Sequence, residues 1–314
     1  MDANFIIAAI MTVVGISTPI LLAGLGELVV EKSGVLNLGV EGMMLLGAIA
    51  GFAVTVYTGN PWMGVIGAGI AGALGGLFFG VFVLGLNSNQ VATGLALTIL
   101  GTGLSSLIGL SFVGRIVMPF GSIFPPELAK DPILKVIFGY SPIVYFALIM
   151  VFVVMWFLKS TRAGLILRAV GENDHSAHSI GYSVVGVRYL AIAFGGAMAG
   201  IGGAYFSMVI TPMWAERMTA GRGWIALALV VFAGWKSGRV LVGAYLFGVL
   251  MWLELFAKAS GFSNILPAAQ AIPSQFWAAM PFLMTVVVLA IISSREKGGG
   301  NAPACLGKPF LPSN

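Results

Sequence analysis

Residues 5–28, FIIAAIMTVVGISTPILLAGLGEL, form a run of 24 positions in which Glu27 is the only charged residue. A helix of about 20 apolar residues is long enough to cross the hydrocarbon core of a bilayer. The first four residues carry no positive charge, and the first basic residue of the chain is Lys32. A cleaved secretory signal begins with basic residues. We therefore expect residues 5–28 to be a retained membrane span.

The whole chain has the composition of a membrane protein. Of its 314 residues, 59% are hydrophobic and 9% are charged, and its mean hydropathy is +1.01. A soluble domain has about a quarter of its residues charged. A globule of this size has too little interior for so many apolar side chains, whereas a bilayer accepts them. Because no polar linker divides the chain, we predict one all-α integral membrane protein, a polytopic bundle of about 8–10 transmembrane helices.

Nine segments are candidate spans, and the short segment 222–235 is expected to be tilted, partly inserted or broken. Turn-forming residues such as Gly59-Asn60-Pro61 separate most of them. Residues 1–294 are assigned to the transmembrane domain, and 295–314 to a cytoplasmic, disordered C-terminal tail. The candidate spans are 5–28, 38–58, 62–85, 90–113, 141–158, 186–210, 222–235, 239–257 and 278–294.

The placement of lysine and arginine predicts the orientation of the spans. Cytoplasmic loops of membrane proteins carry an excess of these residues. If the loop at about 159–185 faces the cytoplasm, nine alternating spans place ten of the 16 basic residues inside and six outside. The ten are Lys32, Lys159, Arg162, Arg168, Arg188, Lys236, Arg239, Arg295, Lys297 and Lys308.

The sequence lacks the motifs that are typical of several functional classes. The chain has no G-x-x-x-x-G-K-[ST] phosphate loop, no G-x-S-x-G motif and no Ser-His-Asp set, so neither ATP binding nor catalysis is expected. Cys305 is the single cysteine, and His175 and His178 have no third ligand, so no metal site is predicted. Basic loops beside membrane spans explain the net charge of +5 better than nucleic-acid binding does.

The most unusual polar stretch is 26–42, which places three glutamates, a lysine, an asparagine and several glycines between two apolar runs. Residues 31–37 have two interpretations. They form either a cytoplasmic turn with Glu31 and Lys32 solvated, or a broken segment that lines a pathway, since irregular backbone at membrane depth must be buried or line water. Glu41, one turn inside the next span, has either a buried structural role or a contact with the solute.

A second polar group opens the fourth span. Asn89 either caps this helix while its neighbours bond other helices, or the group offers hydrogen bonds to a polar solute. Five residues are therefore candidates for a translocation path: Asn37, Glu41, Asn89, Gln90 and Thr93.

Small residues recur at helical spacing in two spans. Gly72, Gly76 and Gly80 share a face of the third span, and Gly196 and Gly200 share a face of the sixth. Such faces allow close helix approach, either within the subunit or against a second subunit, and we favour packing within the subunit.

The loop between the fifth and sixth spans contains a predicted short helix in residues 168–181. Glu172, Asn173 or Asp174 can cap its start, and Gly181 can close it in the left-handed conformation. Small side chains cover this helix, so another protein surface could lie against it.

This loop, RAVGEN at 168–173 followed by Gly181, resembles the coupling segment of ABC-importer permeases of the branched-chain amino acid, ribose and nucleoside type. Residues 31–44, EKSGVLNLGVEGMM, closely match the N-terminal motif of the same family. Residues 89–97 and 224–234 look most like its simple-sugar/nucleoside branch. Four ordered motifs within residues 26–260 are far more specific than hydropathy.

The resemblance implies a permease domain over 1–294, in the cell membrane of a prokaryote. It also implies a second homologous permease, an ABC ATPase subunit that binds ATP and Mg²⁺, and an extracytoplasmic substrate-binding protein. Residues 171–181 would dock in a groove of the ATPase, although His175 and His178 depart from the family pattern. The coupling residues carried over are Gly171, Glu172, Asn173, Ala177, Ser179 and Gly181.

The predicted function is alternating access driven by the ATP cycle of the partner, with nucleosides as the preferred solute, ribose-like sugars next and branched-chain amino acids third. An ion-coupled secondary transporter is the alternative from another class. It would need intramembrane ionisable residues, and Glu27 and Glu41 are the evident candidates.

Overall fold

The computed structural model describes residues 3–125, 131–258, scattered positions between 273 and 290, and 302–311. Seven helical segments are long and apolar enough to cross a bilayer, and an eighth apolar helix is shorter. The described part of the chain has no β-strand beyond one isolated bridge between Ile116 and Met213. The helices are α1 Ala3–Lys32, α2 Val40–Thr58, α3 Pro61–Gly80, α4 Gln90–Gly109, α5 Pro132–Phe138, α6 Pro142–Ser160, α7 Arg162–Glu172, α8 Asp174–Ser179, α9 Val184–Tyr205, α10 Arg222–Phe232 and α11 Ser237–Lys258.

These helices confirm a polytopic helical membrane protein. Seven of the nine predicted spans coincide with α1, α2, α3, α4, α6, α9 and α11. One π-helical turn extends each of α3 and α9, at Val81–Gly85 and Phe206–Ile210, to 25 and 27 residues. The ninth predicted span, 278–294, lies largely outside the described residues.

The seventh predicted span, 222–235, contains a helix of only 11 residues, α10. At 1.5 Å per residue, a helix of this length covers about 16 Å, roughly half of the hydrocarbon thickness. The preceding residues, 211–221, are not helical and lead into the bundle. We call α10 the half-helix because of this length; whether it is tilted, partly inserted or broken in the membrane stays a prediction.

The first helix lies at the centre of the bundle. Every residue from Ile16 to Glu31 is buried, so this part of α1 has no face towards lipid. It packs against α6, α9, α10 and α11. This position fits the mostly apolar surface of α1, because a helix that is apolar on all sides is usually buried inside a bundle.

The helices alternate in direction as the nine-span prediction requires. Phe5 at the start of α1 contacts the rings of Trp252 and Phe256 near the end of α11. At the other end of the bundle, which holds α7 and α8, the Cys305 amide donates to the Gly171 carbonyl at 2.9 Å. Described residues before and after the predicted ninth span therefore lie at opposite ends of the bundle.

The two glycine faces pack against each other, which confirms packing within the subunit. A methyl group added at Gly72 would overlap the backbone of Gly196 and Gly200. One added at Gly76 would lie 2.8 Å from the Ile192 carbonyl oxygen. Small residues therefore let α3 and α9 approach closely, and they fix the central contact of the bundle.

Candidate coupling surface and buried polar segment

Residues 33–39 join α1 to α2 without helical structure, and we call them the irregular segment. Ser33 is fully buried, Asn37 is 1% exposed and the preceding Glu31 is also 1% exposed. The solvated turn considered from the sequence is therefore wrong for Glu31, whose carboxylate accepts a hydrogen bond from the Trp235 indole. Gly34 has φ +91°, a conformation that glycine adopts without strain.

Side chains from neighbouring helices satisfy the backbone of the irregular segment. The Leu36 amide donates to the Gln90 side-chain oxygen at 2.8 Å, and the Asn37 amide donates to the Glu27 carboxylate at 3.3 Å. The Thr98 hydroxyl donates to the Leu38 carbonyl at 3.1 Å. Backbone removed from water needs such partners, since an unpaired buried group is costly. Glu27, Gln90 and Thr98 thus allow the chain to be irregular inside the bundle.

Glu41 caps the half-helix α10 from another part of the chain. One carboxylate oxygen accepts hydrogen bonds from the Thr219 hydroxyl at 2.6 Å and the Gly221 amide at 2.8 Å. The other oxygen accepts from the Gly223 amide at 2.6 Å. The first amides of a helix have no intrahelical partner and carry the positive end of its dipole, so a carboxylate stabilises them. The structure therefore supports the structural role considered for Glu41.

The other candidate path residues also bond the protein itself. Asn89 caps α4 by accepting from the Ala92 amide at 3.0 Å, as the capping interpretation predicts. The Thr93 hydroxyl bonds the Ser88 hydroxyl and the Asn89 carbonyl, both at 2.8 Å. The Asn37 side chain accepts from the Gly39 amide at 2.9 Å. The structure places Asn37 and Gln90 together at the irregular segment and Glu41 at α10, and a solute contact by any of the five stays a prediction.

The predicted short helix in the coupling loop is two helices, α7 and α8. The Asn173 side chain accepts from the Ser176 amide at 2.9 Å, which identifies the N-cap among the three candidates. Gly181 has φ +92°, the left-handed conformation expected of it. Gly171 lies where α7 meets the end of α1, and a methyl group there would overlap the Lys32 carbonyl.

The predicted coupling residues divide between two faces of this segment. Ala177 is 2% exposed and packs with Val170 and Val184, so in this structure its side chain lies on the packed face of α8, and its coupling role stays a prediction. Exposed side chains instead include Ile180 at 71% and Tyr182 at 36%, which the sequence analysis missed. Exposed apolar residues mark interaction surfaces, but their exposure is visible only in the folded structure, so no local sequence signal identified these two. The predicted residues that remain exposed are Glu172, Asn173, Ser179 and Gly181.

A buried ion pair ties α8 to the membrane helices. Arg188, in the first turns of α9, is fully buried and lies 3.1 Å from the Asp174 carboxylate. Its Nε also donates to the Ser33 carbonyl at 3.1 Å. Removing one partner of such a pair leaves an uncompensated charge and costs about 3–5 kcal/mol. Arg188 therefore joins α8, α9 and the irregular segment.

The tail also differs from the sequence expectation. Residues 302–311 were expected to be disordered, but they pack against α8 and the irregular segment. The prediction of disorder was wrong for these residues because the tail is short and contains Gly and Pro. Its packing partners are more than 100 residues away in the sequence. No group of three metal-ligating side chains occurs among the described residues.

Comparisons with known proteins find ABC transporter permeases among the relatives of this chain. TsgC13 of Haloferax volcanii, named provisionally as a glucose ABC transporter permease protein, is 42% identical over 291 residues, or 87% of this chain and 88% of the relative. The guanosine ABC transporter permease protein NupQ of Bacillus subtilis is 28% identical, with 94% and 93% covered. The nucleoside ABC transporter permease protein NupC of Lactococcus lactis is 28% identical, with 95% and 94% covered. No solved structure matches this chain significantly.

The family model described as branched-chain amino acid transport system / permease component matches residues 9–290. This range includes all the helices from α2 to α11, the irregular segment and the loop that holds α7 and α8. Proteins of this kind work generally with ATPase and substrate-binding protein partners, and the ATPase activity lies in separate subunits. The chain therefore belongs to this family of multi-pass ABC transporter permease subunits and is not itself an enzyme.

Proposed function

We propose that the chain forms the membrane path of an importer for nucleosides or simple sugars, and that an ATPase drives it from the cytoplasm through α8. The observation that supports this most is the buried link from Asp174 of α8 through Arg188 to the irregular segment. A displacement of α8 would act on α9 and on residues 33–39 together. Packed elements with two discrete arrangements transmit such movements as rigid bodies.

The docking surface is the exposed side of residues 172–181. Ile180 would enter a groove of the ATPase, with Glu172, Asn173, Ser179 and Gly181 around it. Gly171 and Ala177 would support the docking surface from its packed side. Gly171 lies against the end of α1, and Ala177 lies in the packed face of α8. Buried apolar anchors with a polar rim are typical of protein interfaces.

The complete importer would contain further subunits. The ATPase would bind ATP and Mg²⁺, a second permease of the same or a similar sequence would complete the path, and an extracytoplasmic binding protein would deliver the solute. This arrangement rests on membership of the family. No cofactor is expected in this chain, and its sequence lacks the phosphate loop by which an ATPase holds ATP.

A solute with a sugar ring is favoured by the names of the relatives. One is named for glucose and two for guanosine or nucleosides, and all these solutes carry sugar hydroxyl groups. The description of the family favours a second candidate, branched-chain amino acids. Competition of uptake by guanosine, adenosine, glucose, ribose and leucine separates these classes.

An ion-coupled transporter is less consistent with the structure. Its two candidate ion-binding residues are already engaged, since Glu27 accepts from the Asn37 amide and Glu41 caps α10. Uptake by vesicles would decide between the two mechanisms. We expect uptake to require the ATPase subunit and ATP, and to persist when an ionophore dissipates ion gradients. Uptake that is lost with the gradient while ATP remains would contradict the proposal.

The docking surface can be tested separately. Ile180→Asp should lower the amount of ATPase that co-purifies with the chain by about tenfold, because it places a charge in an apolar contact. Met118→Asp is the matched control, since Met118 is 86% exposed in the loop at the opposite end of the bundle. Equal ATPase recovery with Ile180→Asp and Met118→Asp would show that the ATPase does not dock on this surface.

A further inference from the structure

The C-terminal tail, residues 302–311, makes backbone hydrogen bonds to two separate parts of the molecule. The Cys305 amide donates to the Gly171 carbonyl at 2.9 Å, at the end of α7. The Gly307 amide donates to the Gly34 carbonyl at 3.1 Å, in the irregular segment. Gly307 itself has φ +75°, which turns the tail between these contacts. The tail thus bridges α7 and the irregular segment.

Phe310 anchors the end of this bridge on α8. Its side chain is 9% exposed and packs in the apolar cluster that contains Ala177. The rings of His175 and His178 lie beside it, with centroids at 5.6 and 5.5 Å. The two histidine rings therefore form the walls of the Phe310 site.

The tail also reaches the start of α4. The Gln90 side-chain amide donates to the Lys308 carbonyl at 3.5 Å, while its oxygen accepts from the Leu36 amide at 2.8 Å. One side chain therefore holds both the tail and the irregular segment. The tail leaves Ser179 and Ile180 exposed, so it does not cover the proposed docking surface.

We propose that the tail, anchored by Phe310, is a positioning element that makes α7, α8 and the irregular segment move as one unit during transport. This inference rests on the proposed function, because it requires that an ATPase moves α8. Without the tail, Arg188 would be the main remaining link between α8 and the irregular segment. Part of each movement of α8 would then be lost as local rearrangement instead of reaching α2 and α4.

The test compares solute transported per ATP hydrolysed in vesicles that contain the complete importer. We expect Phe310→Ala, and a chain that ends at residue 301, to lower this ratio by about fivefold while the ATPase still co-purifies. Phe310→Leu keeps most of the apolar volume and should restore most of the ratio. Hydrogen exchange at the amides of 34–36 should become faster in Phe310→Ala, because their neighbour is no longer held.

Leu311→Ala is the matched control, since Leu311 is the next residue and is 60% exposed. An unchanged ratio in Phe310→Ala would overturn the inference, and so would tighter ATPase binding by the shortened chain, which would indicate an autoinhibitory tail. Ile180→Asp keeps the two proposals distinguishable. If Ile180→Asp loses the ATPase but Phe310→Ala transports normally, the docking surface stands and the positioning role of the tail fails.

Discussion

Replacement of Glu41 by glutamine tests whether this residue holds α10 or binds the solute. The carboxylate accepts three hydrogen bonds, from the Thr219 hydroxyl and the Gly221 and Gly223 amides, at 2.6, 2.8 and 2.6 Å. In Glu41→Gln the amide keeps one accepting oxygen but turns an NH₂ group towards donors. At least one backbone amide at the start of α10 is then left buried without an acceptor.

The expected loss of stability follows from these contacts. A hydrogen bond to a charged group contributes about 1.5–3 kcal/mol, and an unsatisfied buried donor costs about 1–3 kcal/mol. We therefore expect Glu41→Gln to lower the free energy of unfolding by about 2–4 kcal/mol. Thr219→Val removes one donor with little change of shape and should cost about 1–2 kcal/mol. Because both changes alter the same hydrogen-bond network around residue 41, their costs should not add in the double variant.

The assay is a denaturant titration of the purified protein in detergent micelles, together with uptake in vesicles. Glu216→Gln is the control, because Glu216 is an exposed acid in the loop before α10 and its change should cost less than about 0.5 kcal/mol. If Glu41→Gln unfolds like the unmodified protein but no longer transports, Glu41 contacts the solute and our reasoning is wrong.

Three further predictions concern packing, the ion pair and topology. Gly76→Leu should destabilise the bundle by about 1–3 kcal/mol, whereas Gly103→Leu should not, since a methyl group at Gly103 would meet open space; equal unfolding curves would contradict the packing argument. Arg188→Met should lower the free energy of unfolding by about 3–5 kcal/mol by leaving the Asp174 carboxylate unpaired, and adding Asp174→Asn should recover part of the loss; no recovery would mean that the pair is not the cause. A cysteine replacing Ser176, in a chain without Cys305, should react with a membrane-impermeant reagent only after the cells are opened, and labelling of intact cells would reverse the proposed orientation.

The local sequence was sufficient to predict most of the membrane helices. Long apolar runs such as 5–28 exceed the bilayer thickness, and a helix is the form that satisfies their backbone in lipid. The cap at Asn89 and the turn at Gly181 were also predictable, because their partners lie within a few residues. The half-helix α10 was harder, since its apolar pattern continues to the end of the predicted span at residue 235 although the helix ends at Phe232.

The residues of the candidate site were predicted less well. Ala177 was expected to belong to a docking surface, because a small side chain on a capped helix has no local feature that distinguishes a buried face from an exposed one. The tail was expected to be disordered, but Phe310 packs with residues at least 123 positions earlier in the chain, from 310 − 187 = 123 for Val187. The proposed docking role of Ile180 follows only from its exposure.

The sequence by itself determined that this protein spans a membrane, that its long apolar runs form helices and that it belongs to a permease family. These properties depend on hydropathy, on spacing and on local motifs, all of which are written along the chain. Tertiary structure alone decided that Glu41 caps α10, that Arg188 joins α8 to the irregular segment and that the tail packs on α8. Each of these contacts pairs a polar or apolar group with a partner that is close only after the helices have packed, so a one-dimensional pattern does not contain it.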